Sequence, residues 1–155
     1  MNSPMIHGRR RLLGVSAGVA VAAFFGTLPR AFASVEDVDK AIAEFAGTGS
    51  VVEGGPLTLT TPEIAENGNS VPVSFSVDSP MSADDYIESV MIIATDNPSP
   101  DVATFHFTPA SGVARASTRM RLAKTQDVLA LARSSTGKLY RVGNNVKVTI
   151  GGCGG

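Results

Sequence analysis

The fold is decided by the stretch Val71-Pro72-Val73-Ser74-Phe75-Ser76-Val77, in which every second residue is apolar. Alternation of apolar and polar residues with a period of two predicts a β-strand that buries one face. Pro72 lacks a backbone N–H, so it favours an edge position or the start of a strand. The stretch therefore predicts a half-buried strand in a sheet that exposes its other face.

Similar strand patterns recur on both sides of this stretch. Leu57 and Leu59 alternate with threonines, 90–95 is a continuous apolar run typical of a central strand, and further strands are predicted at 102–107, 113–122, 127–133, 138–142 and 144–150. Turn signals separate them, among them Asn67-Gly68, Ser79-Pro80 and Asn97-Pro98. Many short strands with turns about every 8–12 residues predict an all-β, immunoglobulin-like β-sandwich over residues 48–150, with a β-barrel as the alternative.

A short amphipathic helix is predicted before the strands, at residues 34–47. Ser34 can cap it, and Asp37 three residues later completes a capping box. The apolar residues Val35, Val38, Ile42 and Phe45 recur at helical spacing and predict one buried face. Gly47 is predicted to end the helix, and 48–56 reads as a glycine-rich connector.

Residues 1–33 have the organisation of an export signal. Arg9-Arg10-Arg11-Leu12-Leu13 opens an apolar stretch that runs to Phe25, and Ala31-Phe32-Ala33 offers a cleavage site. Consecutive arginines before Leu-Leu resemble a twin-arginine (Tat) signal. A Sec signal and a retained membrane anchor remain alternatives, although the apolar stretch is short and interrupted by glycines. We expect a periplasmic protein with no membrane contact after cleavage, which crosses the membrane folded and together with a bound partner.

The charge of the predicted mature chain is clearly negative. Four of the thirteen Lys/Arg lie in residues 1–33, so nine face the fourteen Asp/Glu and give a net charge of −5. That balance argues against nucleic-acid binding. With 43% hydrophobic and 17% charged residues the chain suits a globular domain rather than a disordered one.

The single cysteine lies in Gly151-Gly152-Cys153-Gly154-Gly155. Glycine is the least restrained residue, so 151–155 is predicted to be a flexible arm that carries one thiol. The pKa of an exposed thiol is about 8.5, and no cation in the arm favours the thiolate. We therefore expect a thiol that another protein must activate, and no catalytic residue in this chain.

A histidine and a row of arginines are two further candidate binding sites. His106 lies between Phe105 and Phe107 and is predicted to be exposed; one histidine and one distant cysteine make no zinc site, so no metal or cofactor is expected. The residues Arg115, Ser117, Arg119 and Arg121 share one strand parity. This basic stripe is either a solvated sheet face or a docking face for an acidic partner or an oxyanion.

The motif at 151–155, placed directly after a predicted strand in an exported chain, resembles the SoxY sulfur-carrier family of the sulfur-oxidising (Sox) system. The motif is the specific part, while the leader, helix and β-rich body agree along the whole chain. The resemblance implies that Cys153 carries thiosulfate-derived intermediates covalently, without catalysing their reactions. It implies a heterodimer with a SoxZ-type subunit. It also implies three enzyme partners: a c-type cytochrome sulfur transferase, a dimanganese sulfate thiohydrolase and a sulfane dehydrogenase.

Three other functions fit parts of the sequence. A periplasmic thiol redox or binding module would use Cys153 without a resolving cysteine. A carrier that forms a thiocarboxylate on a terminal Gly-Gly would place the chemistry on Gly155, but it needs ATP, from which an export signal leads away. An enzyme with Cys153 as nucleophile would need a positioned histidine, which a flexible segment does not provide.

Overall fold

The computed structural model describes residues 33–149. The predictions for the signal peptide, for Ile150 and for the segment 151–155 lie outside the described residues. The described part contains one α-helix, α1 (Val35–Ala46), followed by strands β1 (Ser50–Glu53), β2 (Leu57–Thr60), β3 (Ile64–Ala65), β4 (Val71–Val77), β5 (Ile87–Ala94), β6 (Asp101–His106), β7 (Ala114–Met120), β8 (Gln126–Ser134) and β9 (Lys138–Val148). None of its helices has the length and apolar character needed to span a membrane.

The strands form two sheets that pack face to face. The large sheet has the order β1-β9-β8-β5-β6, and the small sheet has the order β2-β4-β7. Strand β1 pairs with the start of β9, and the chain then crosses to the small sheet to form β2. It returns to the large sheet as β3, which pairs with the end of β9. This arrangement confirms the predicted all-β, immunoglobulin-like sandwich.

The stretch 71–77 supplies one wall of the core, as its alternation predicts. Its four apolar side chains are buried between the sheets, while the polar residues between them face outward. Phe75 packs edge-to-face on Phe105 and Phe107, with ring centroids 5.2 Å and 6.2 Å away. Such contacts add to the burial of large apolar area, so the three rings pack the small sheet against β6 and the residue that follows it.

Pro72 lies in the middle strand of the small sheet, yet it follows the rule for proline. It is paired with Arg119 on β7, whereas β2 pairs only with residues 74–77 of β4. At Pro72 the strand therefore has a neighbour on one side only, and the missing N–H removes no bond to β2. The prediction of a position near the start of a strand is confirmed.

The apolar run in β5 is continuous because both faces of the large sheet are covered. Val90, Ile92 and Ala94 face the small sheet, whereas Met91 and Ile93 pack under α1. Alternate residues of β8 divide in the same way. The molecule thus has three layers: helix, large sheet and small sheet.

Helix α1 has the predicted start, end and capping box, but one of its predicted contacts is wrong. Ser34 and Asp37 exchange side-chain-to-backbone hydrogen bonds, and Gly47 follows the helix with φ of 58°. Val38 and Phe45 are buried, whereas Val35 is 76% exposed. Val35 occupies the first helical position and lies about 60° to 80° around the helix from Val38 and Phe45, at the margin of the buried face.

Two strand assignments also need correction. The prediction of a connector at 48–56 is wrong in part, because this segment contains β1, which pairs in parallel with the start of β9. All four β1 residues are exposed, so no alternation marks the strand in the sequence. The two strands predicted at 138–142 and 144–150 are one strand, β9, which runs through Gly143.

Candidate functional site

The last described residue before Cys153 is Thr149, which directly follows β9. The N–H of Lys147 donates to the carbonyl of Glu63 (2.9 Å), and the N–H of Thr149 donates to the carbonyl of Ala65 (3.0 Å). These bonds to β3 and to the residue before it hold the backbone as far as Thr149. The sequence predicts such an ordered anchor, and the described residues confirm it up to that point; Cys153 itself lies outside them.

The other side of the β9 end is held by a single hydroxyl. Thr125 Oγ1 accepts the N–H of Val148 (3.0 Å) and lies 3.4 Å from the carbonyl oxygen of the same residue. Thr125 belongs to the segment that crosses from β7 to β8. The last described residues are therefore fixed from two sides, by β3 and by this crossing segment.

The crossing segment is itself positioned by the side-chain amides of the partly buried Asn97 and the buried Gln126. Asn97 Oδ1 accepts from the Ala123 N–H and from Gln126 Nε2, both at 3.0 Å. Asn97 Nδ2 donates to the carbonyl of Arg121 (2.7 Å). Gln126 is 3% exposed, and its Oε1 accepts the N–H of Asp96 (2.8 Å). This network sets where the backbone of Arg121 lies relative to the anchor.

Gly68 brings the end of β7 against the end of β9. A Cβ at this position would lie 2.6 Å from the Leu122 carbonyl oxygen and 2.9 Å from Val148 Cγ1, and the N–H of Leu122 donates to the Gly68 carbonyl (2.7 Å). Arg121 and Thr149 consequently line one open hollow of about 390 Å³. The predicted turn at Asn67-Gly68 is confirmed, but the atoms that leave no room for a side chain at Gly68 belong to residues distant in sequence.

The arginine stripe has the predicted orientation. Arg115, Ser117, Arg119 and Arg121 are all exposed, and β7 forms one edge of the small sheet. Within residues 33–149 none of the three guanidinium groups forms an ion pair. Arg119 Nη1 donates weakly to the carbonyl and the hydroxyl of Ser70, at 3.4 Å and 3.3 Å.

His106 is exposed at the end of β6, as predicted, and stands opposite Ser89 of β5. Among the described residues no three His, Cys, Asp or Glu side chains converge where a metal ion could be held. The described domain thus offers an anchor for Cys153 and a basic surface next to it.

Comparison with known proteins assigns the chain. A family model described as "Sulfur oxidation protein SoxY" matches residues 42–153. The chain belongs to the SoxY family. A solved SoxY structure, the sulfur carrier protein from Chlorobium limicola f thiosulfatophilum, is 37% identical, with a TM-score of 0.64 over 76% of this chain and 100% of that one. The SoxY fold and a carrier role in sulfur oxidation follow from these matches.

Other solved structures resemble this chain in fold only. A superoxide reductase (neelaredoxin) from Ignicoccus hospitalis has a TM-score of 0.55 at 17% identity, covering 60% of this chain and 80% of its own. No curated protein sequence matches the chain. The reductase likeness is one of sandwich architecture.

The contacts that hold the end of β9 carry no signal in the sequence. Thr125, Asn97 and the two-residue strand β3 act through contacts with residues 23 or more positions away. A strand of two residues is too short for periodicity to show. The hydrogen bond between Asn97 and Gln126 likewise cannot be recognised from a single sequence.

Proposed function

We propose that this SoxY-family chain is a periplasmic carrier that holds thiosulfate-derived sulfur intermediates covalently on Cys153. The observation that carries the proposal is the family match, which extends through residue 153 and so includes the sole cysteine. The family as a whole supports a carrier role in sulfur oxidation. Export by the Tat pathway, suggested by Arg9-Arg10-Arg11, places the carrier outside the cytoplasm.

Loading of the carrier is an oxidation. The Cys153 thiolate and thiosulfate form a new S–S bond and release two electrons, which a c-type cytochrome sulfur transferase takes up. The product is a cysteine S-thiosulfonate. The residues near Cys153 in sequence are glycines, which supply no base or cation. Activation of the thiol therefore comes from the enzyme that receives it.

Unloading begins with a hydrolysis. Water attacks the sulfur of the SO₃ group, and the S–SO₃ bond breaks. Sulfate and two protons leave, while a persulfide anion stays on Cys153. A dimanganese sulfate thiohydrolase catalyses this step. A sulfane dehydrogenase, where one is present, oxidises the remaining outer sulfur. The chain itself contributes the attachment atom and the docking platform, and it works as a heterodimer with a SoxZ-type subunit.

The described domain suits this division of labour. Its backbone is held up to Thr149, and Cys153 follows four residues later, a reach of about 14 Å at most. A short tether on a fixed base presents the thiol to an enzyme that docks closely. The same geometry would not serve a carrier that bridges distant sites.

Intact-mass spectrometry of the mature chain tests the proposal. We expect thiosulfonate and persulfide adducts after incubation with thiosulfate and the partner enzymes, removed by reductant. Cys153→Ser should lose all adducts while the midpoint of urea unfolding stays unchanged, because the buried apolar core of the described residues lies between Val38 and Val146. Adducts on Gly155, or none with intact Cys153 and active enzymes, would refute the carrier function.

A further inference from the structure

The two outer layers of the molecule carry opposite charge. Helix α1 has four acidic residues, Glu36, Asp37, Asp39 and Glu44, and one basic residue, Lys40. The three strands of the small sheet contain no Asp or Glu, although residues 33–149 hold all fourteen acidic residues of the chain. The helix covers one face of the large sheet and the small sheet covers the other, so the two charges lie on opposite sides.

The outer face of the small sheet is a surface of arginines and hydroxyls. In the sheet register Arg115 stands beside Ser76 and Thr58, and one step along Ser117 stands beside Ser74 and Thr60. We call the row Arg115, Arg119 and Arg121 with these flanking hydroxyls the basic face. Its guanidinium groups lack carboxylate partners within residues 33–149. These exposed guanidinium groups are therefore available to the carboxylates of another molecule.

One end of the basic face lies near Thr149, the last described residue before Cys153. Arg121 and Thr149 line the same hollow. From there the row runs back along β7 to Arg115, about 20 Å at the usual strand rise. Glu66 also lines the hollow, so the net positive charge is concentrated at Arg115 and Arg119.

We propose that the basic face is the docking surface for the enzymes that act on Cys153, and that it binds a carboxylate-rich surface beside their active-site openings. The proposal rests on the carrier function, because that function brings an active site within about 14 Å of Thr149. An enzyme that approaches so closely covers Arg121 and faces the adjacent arginines. Complementary charge of this kind raises association rates about 10- to 1000-fold at low ionic strength and little at high salt.

Charge reversal on the basic face tests the proposal in the assembled carrier. The full mature chain, paired with its companion subunit and loaded with thiosulfate on Cys153, serves as substrate for the dimanganese thiohydrolase. We expect Arg115→Glu/Arg119→Glu to lower kcat/KM for sulfate release at least about tenfold at low salt, and to flatten its salt dependence. The matched control is Lys40→Glu/Lys138→Glu, which changes net charge equally on exposed residues of α1 and the start of β9.

Each other outcome overturns the docking surface. An equal loss in the control pair would assign the effect to net charge. Loss of the companion subunit from the arginine variant would make the basic face the heterodimer interface. Aggregation with unchanged kcat/KM would show that the arginines instead prevent pairing of the edge strand β7 with other molecules. Reaction of Cys153 with N-ethylmaleimide should be the same in all variants, and a wild-type carrier that releases no sulfate would refute the carrier function itself.

Discussion

At the scale of single residues, two glycines show that the free-energy cost of adding a methyl group depends on which atom lies next to it. A Cβ at Gly68 would meet the Leu122 carbonyl oxygen at 2.6 Å, and a Cβ at Gly143 would meet Leu129 Cδ2 at the same distance. The first neighbour is backbone held by a hydrogen bond, whereas the second is the end of a side chain that can rotate. Gly68 therefore fixes the junction of β7 and β9, and Gly143 does not.

We predict that Gly68→Ala lowers the free energy of unfolding by about 2–3 kcal/mol, since the backbone must move to admit the methyl group. Gly143→Ala is the matched control and should change it by less than about 1 kcal/mol. Urea unfolding of the mature chain, followed by far-UV circular dichroism, measures both. Equal losses in the two variants would contradict this account of the junction.

At the scale of elements, a residue in the apolar stripe of α1 can stabilise the fold by burial only where the large sheet covers it. Val35 and Val38 belong to the same stripe, yet Val35 is 76% exposed and Val38 is 8% exposed. Arg133 adds a tie at the other end, because its Nη1 donates to the Phe45 carbonyl (3.2 Å) and its guanidinium lies 5.4 Å from the Phe45 ring.

The two valines make a matched pair for a second prediction. Val38→Ala should cost about 2 kcal/mol in the free energy of unfolding, through lost burial and the cavity left behind. Val35→Ala should stay within about 0.5 kcal/mol of the wild type, because an exposed alanine also favours a helix. Thermal and urea unfolding of both variants would test this. A large loss for Val35→Ala would show that the helix start is covered.

At the scale of the whole molecule, the helix is the third layer of the domain. Under it lie Met91, Ile93, Leu129, Leu131 and Leu139, which all belong to the large sheet. Without α1 this apolar face would be open to water, next to the exposed edge strand β1. Exposed apolar patches on a sheet favour association.

We predict that a chain without residues 34–47 self-associates and binds a hydrophobic dye, while the chain starting at Ser34 stays monodisperse. Size-exclusion chromatography with light scattering measures the first property, and dye fluorescence the second. A shortened chain that remains monomeric and keeps its unfolding midpoint would show that the two sheets alone form the domain.

The sequence by itself determined the parts of this protein that depend on local pattern. Alternation at 71–77 gave β4 and its buried face, and the Ser34–Asp37 capping box gave the start of α1. The family resemblance carried by Gly151-Gly152-Cys153-Gly154-Gly155 is confirmed by the family match. Such signals are legible because strand period, helix capping and a functional motif each involve residues close together in the chain.

Only the tertiary structure decided the features that join distant residues. The exposed strand β1 and the two-residue β3 exist because β9 offers them an edge, and neither has a periodic signal of its own. Val35 is exposed because the large sheet packs on the side of α1 that carries Val38 and Phe45. The position of Arg121 beside Thr149 depends on Gly68 and on bonds from Asn97, which pack the ends of separate strands together. Contact across sheets depends on topology and register, and a single sequence states neither.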